Sequence, residues 1–77
     1  MKWQRVTNGR HGEGLTYQGR KYPLSAFEGP GNWALYRGAE VFVSGYYADD
    51  RGTYALLMHP ADPRRVKVVP RGDLTLL

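Results

Sequence analysis

Helix breakers set the grain of this chain. Its 77 residues include 10 glycines and 5 prolines spread along the whole length, so few windows are long enough to hold a three-turn helix. The residues between the breakers have the opposite character. Aromatics make up 13% of the chain, six of them tyrosine, and valines cluster in short runs. Aromatic and β-branched side chains fit a pleated surface, whereas Gly, Pro, Asn and Asp suit turns. The pattern predicts an all-β domain.

Short strands are legible along the sequence. Residues 2–7 alternate in character, and 15–17 and 20–24 flank a Gln18-Gly19 turn. Residues 40–47 form the clearest strand, with Gly45 placed where a bulge or bend would sit. Residues 53–58 are nearly continuously apolar and predict a central strand buried on both faces. Residues 66–69 and 74–77 follow the turn forced by Pro60 and Pro63. Residues 32–38 are ambiguous, and Asn8-Gly9 opens either a tight turn or a longer polar loop. Ser25 and Glu28 have the spacing of a capping box around one helical turn. About five to six short antiparallel strands in one domain, residues 1–77, predict a small SH3-like or OB-like barrel. A two-sheet sandwich is the main rival. Closure would remove exposed sheet edges.

Several function classes fall away. The chain has no cysteine, so it offers neither disulfides nor a thiolate metal site, and a reducing, cytoplasmic setting is expected. Lys2 is followed by Trp3-Gln4-Arg5 with no apolar leader, and no run approaches the roughly 20 apolar residues that span a bilayer. His11 and His59 lie in separate loops, and with Asp62 they make a poor zinc set. Ser25 and Ser44 have no local base, and the glycines at 9, 12 and 14 lack the Gly-Lys-Ser/Thr of a phosphate loop. The expectation is a non-enzyme with no cofactor.

Charge is segregated. Residues 1–24 carry Lys2, Arg5, Arg10, Arg20 and Lys21 against Glu13, and residues 64–77 carry Arg64, Arg65, Lys67 and Arg71 against Asp73. The acids Glu28, Glu40, Asp49, Asp50 and Asp62 lie between them, and the net charge is +4. If the terminal strands lie side by side, the basic segments merge into one cationic face, the footprint of a polyanion-binding module. Most of the cations are arginines, whose planar fork matches phosphate oxygens. Trp3 and Tyr22 lie among them as candidate stacking residues, although tyrosines in small barrels more often pack in the core.

Three stretches carry a family likeness. The first runs Arg5-Val6-Thr7, Gly14-Leu15 and Gly19-Arg20-Lys21-Tyr22; the second is Gly38-Ala39-Glu40-Val41-Phe42-Val43; the third runs from Pro60-Ala61-Asp62-Pro63 to Val66-Lys67-Val68. Together they resemble the C-terminal β-barrel domain of Mu-type transposases. The resemblance implies a small barrel with a basic surface that contacts DNA without sequence preference. It departs from the family pattern where residues 44–58 intervene before the Pro/Asp turn. The sequence holds no integrase-like catalytic domain, so no transposase activity is implied.

The expected function is therefore nucleic-acid binding, with DNA the expected partner, through Arg5, Arg10, Arg20, Lys21, Arg64, Arg65, Lys67 and Arg71, with Trp3 and Tyr22 stacking. The alternative is a protein–protein interaction module, an adaptor or inhibitor, anchored by Tyr46-Tyr47 or by the aromatics of residues 33–36. Strand addition to a partner's sheet is a third reading. The sequence leaves the oligomeric state open.

Overall fold

The computed structural model describes residues 3–6 and 14–77. It is all-β. The strands are β1 (Gln4–Arg5), β2 (Gly14–Tyr17), β3 (Arg20–Pro23), β4 (Asn32–Tyr36), β5 (Ala39–Asp49), β6 (Gly52–His59), β7 (Asp62–Pro70) and β8 (Leu74–Leu76). Six of them form one antiparallel sheet in the order β1-β7-β6-β5-β4-β8, and β2 and β3 form a separate hairpin. The sheet is not closed into a barrel; β1 and β8 are its two edges. The predicted Asn8-Gly9 turn lies outside the described residues.

Local chemistry explains the connections. Gln18 and Gly19 take φ of 49° and 78°, and Arg37 and Gly38 take 52° and 80°, the left-handed pairs that close two-residue hairpins with the right twist. Arg37-Gly38 also resolves the ambiguous segment: residues 32–36 are a strand and turn directly into β5. The register of β5 against β6 shifts between Val43 and Gly45, the bulge that glycine foreshadows. There a Cβ on residue 45 would lie 3.1 Å from the backbone of Phe27 and Glu28, a crowded approach that favours glycine. Ser25 does not cap a helical turn. Leu24–Ala26 is a short 3₁₀ turn preceded by Pro23, with no side-chain cap.

Both faces of the central sheet are buried. On one face Val6, Leu56, Val66 and Val68 pack with Leu15, Tyr17 and Tyr22 of the hairpin and with Tyr54. On the other, Ala34, Tyr36, Val41, Val43, Ala55, Leu57 and Val69 form a second cluster, edged by Trp3, Tyr46 and Leu74. β6 lies between β5 and β7, and Tyr54, Ala55, Leu56 and Leu57 are all buried. Its apolar run is thus the strand buried on both sides that the sequence predicts.

Candidate nucleic-acid interface

The terminal strands do not lie side by side. They occupy opposite edges of the sheet, because the 3₁₀ turn Arg71–Asp73 carries the chain from β7 across to β8 beside β4. The basic segments meet by another route. β1 pairs with β7, which places Gln4 opposite Val66 and Arg5 opposite Arg65. The Val6 amide then donates to the Arg64 carbonyl at 2.8 Å and extends the pairing. Side chains alternate along a strand, so Arg65 and Lys67 share a face with Arg5, and Arg64 points to the opposite one.

The three arginines are exposed, Arg5 to 67% of its side chain. Arg5 also meets Asp62 at 3.6 Å. Asp62 accepts the Arg64 amide at 3.0 Å, and the His59 Nδ1 accepts the Ala61 amide at 3.1 Å. These bonds brace the β6–β7 hairpin end, whose exposed tip is Pro60-Ala61. Trp3, half-buried, packs edge-on against His59 with ring centroids 5.3 Å apart.

Two of the expected contact residues are withdrawn by burial. Tyr22 is 4% exposed and sits in the core, ringed by Phe27, Tyr47 and Tyr54 at 5.4–6.3 Å. Its place in β3, opposite Leu15, turns it inward. Lys67 is 6% exposed, with its ammonium 5.1 Å from the Trp3 ring centroid and 5.2 Å from that of Tyr36. Burial, helped by nearby Arg37, holds its pKa below the usual lysine value. It contributes charge from beneath the surface and does not grip phosphate directly.

The remaining expected residues are distributed. Arg20 and Lys21 are exposed on the β2–β3 hairpin, where Arg20 is paired with Asp49 at 3.3 Å. The stem of Lys21 lies over Gly14, where an added Cβ would come within 2.7 Å of the Lys21 Cε. Arg71 lies over the Tyr46 ring at 5.8 Å. Arg10 lies outside the described residues. The structure thus brings together Arg5, Arg64 and Arg65, with Trp3 beside them, and leaves the others apart from that group.

By its place in the sequence Arg37 belongs to the acidic middle. The Arg37-Gly38 turn instead puts it over the Tyr36 ring at 5.5 Å and within electrostatic reach of Lys67. Gln4 carries a role that no sequence signal announces. Its carboxamide donates to the Thr16 carbonyl at 2.7 Å and accepts the Thr16 amide at 2.9 Å, tying the hairpin to the sheet. Among the described residues, no group of three or more His, Cys, Asp or Glu side chains is placed to hold a metal ion, and no helix is long and apolar enough to cross a membrane.

Comparison of the chain with protein-family models, curated proteins and solved structures gave no match.

Proposed function

We propose that this chain is a non-enzymatic nucleic-acid-binding module, with DNA as the expected target, that grips phosphates through Arg5, Arg64 and Arg65 at the β1–β7 edge. The register of Arg5 against Arg65 carries this reading. Like charges directly opposite each other on paired strands are destabilising. One edge cation suffices to keep a strand from pairing with other chains. Three arginines around a braced hairpin end exceed that need, and buried Lys67 adds positive potential beneath them. Asp62, paired with Arg5, offsets only part of this positive charge, and a polyanion would relieve the rest. The likeness to the Mu-type transposase barrel points the same way.

The test is a titration of DNA with the wild-type chain and with the double variant R64A/R65A at two salt concentrations. Affinity should fall for every sequence, and the slope of log K against log salt should flatten by about 1.8, near 0.9 for each phosphate that is no longer neutralised. Unchanged affinity in the double variant would remove this edge from the interface.

A second reading has its own observation. At the far side of the sheet Trp33 is 44% exposed and packs edge-on against Phe42 at 5.3 Å, near exposed Leu76 and Leu77. Such an aromatic is a suitable anchor for a protein partner. Tyr46 and Tyr47 do not serve this role, since both pack against the core clusters.

A further inference from the structure

We infer that the nucleic acid engaged by this edge is a duplex, met by the β6–β7 hairpin end, and not an unstacked single strand; the inference rests on the nucleic-acid reading above. Proteins that hold single strands without sequence preference need bare aromatic faces along a cationic groove. Here the rings nearest the cations are already covered by the protein's own charges. Lys67 lies over Trp3 at 5.1 Å and over Tyr36 at 5.2 Å, Arg37 also lies over Tyr36 at 5.5 Å, and Arg71 lies over Tyr46 at 5.8 Å. Tyr22 is in the core. Trp33, the most exposed aromatic of the second cluster's strands, belongs to β4, three strands away from β7 in the sheet order.

Shape argues in the same direction. Arg64 and Arg65 are neighbours on one strand and diverge to opposite faces of the sheet, with Arg5 joining Arg65 on its side. The result is a ridge with cations on both flanks. A ridge meets two walls of phosphate at once. β7 is paired on both sides, to β6 and to β1, so the ridge is broader than a two-stranded ribbon and lies across the phosphate walls; the hairpin tip, Pro60-Ala61, carries no charged or hydrogen-bonding side chain that would read base edges. The bonds from Arg64 to Asp62 and from Ala61 to His59 fix the tip before any ligand arrives. The arrangement serves backbone contact on both flanks with little reading of sequence.

The experiment uses the whole chain carrying W33F, which leaves Trp3 as the one tryptophan. Anisotropy is measured with a labelled DNA duplex and with each of its separated strands, while Trp3 emission is followed. The expected result is duplex binding roughly tenfold tighter than either strand, driven by phosphate density, with no stacking quench of Trp3. R64A and R65A, both at exposed positions, should each weaken duplex binding by a similar factor, because each serves one flank. Binding of a single strand as tight as the duplex, with Trp3 quenched, would overturn the inference and leave the nucleic-acid reading standing. A weakening confined to one of the two arginines would overturn the two-flank geometry. Absence of binding to duplex and strands alike at low salt would overturn the underlying function itself.

Discussion

The carboxamide of Gln4 and the backbone of Thr16 exchange two hydrogen bonds, at 2.7 and 2.9 Å, across 12 residues of sequence. A side chain here takes the place of a strand. Gln4 lies in register with Val66, so its side chain leaves β1 on the face where the β2–β3 hairpin packs. The hairpin makes no backbone ladder with the main sheet, and this clamp supplies a substitute.

Gln4→Ala should therefore loosen the hairpin specifically, at a cost of about 1–2 kcal/mol for the two missing bonds to backbone. Gln4→Glu should do no better, since a carboxylate would face the Thr16 carbonyl oxygen. Chemical denaturation reads the total, and faster hydrogen exchange at the Thr16 amide would localise it. Unaltered exchange there would show that apolar packing alone holds the hairpin.

Lys67 is a cation held under two aromatic rings. Its neighbours on that face are Trp3, Tyr36 and Arg37, and neither Arg5–Asp62 nor Arg20–Asp49 includes it. Lys67→Met should stabilise the fold by about 1 kcal/mol, because a thioether of similar length keeps the packing without the buried charge. Lys67→Ala should destabilise it by leaving a void.

The same lysine sets a pH trend. Its pKa is lowered in the folded chain by burial, so below pH 10.5 and above the folded value the unfolded state holds the extra proton. Stability must then rise with pH through that window. Tyr17 and Tyr54, whose pKa values burial raises above 10.0, act oppositely: their contribution is complete below pH 10 and is lost as pH climbs through the folded values. Denaturation midpoints measured from neutral to strongly alkaline pH should first climb and then fall. The climb should vanish in Lys67→Met while the fall persists.

Asp62→Asn should tighten DNA binding roughly threefold at low salt and steepen the salt slope by about 0.9, because it frees Arg5 for one more phosphate. The substitution keeps an acceptor for the Arg64 amide, so the hairpin end stays braced. Weaker binding in this variant would mean that the Arg5–Asp62 pair orients Arg5 toward its phosphate.

Gly45→Ala should cost about 1–3 kcal/mol, since the new methyl meets the backbone of Phe27 and Glu28 at 3.1 Å and neither is a flexible side chain. Thermal unfolding measures it. The isolated pairing of Glu28 with Tyr46, bonded at 2.8 and 2.7 Å, should loosen with it.

The strands are legible in the sequence wherever burial imposes a pattern. Residues 53–58 read as doubly buried because two core clusters cover Tyr54 to Leu57, and Gly45 marks its bulge because a side chain there would crowd the backbone of Phe27 and Glu28. The ends of the sheet are harder to read. Nothing in residues 71–73 announces that the chain will cross from β7 to the far edge, so the neighbours of the terminal strands do not follow from the sequence. The candidate site is legible as a composition of charges and not as an arrangement. Tyr22 and Lys67 stand among the contact candidates because alternation within a short strand does not say which side faces the core. Arg37 reads as part of the acidic middle because a count along the chain cannot see a hairpin turn.

The sheet order has a kinetic consequence. β4, β5, β6 and β7 follow one another through short turns, so their loops close at little entropic cost. β1 must find β7 across about sixty intervening residues, and β8 must travel round to β4. The central meander thus assembles early and the outer strands attach afterwards. A refolding chain gains its compact interior before Arg5 reaches Arg65, and the arginine edge proposed to meet a polyanion is the last part to form.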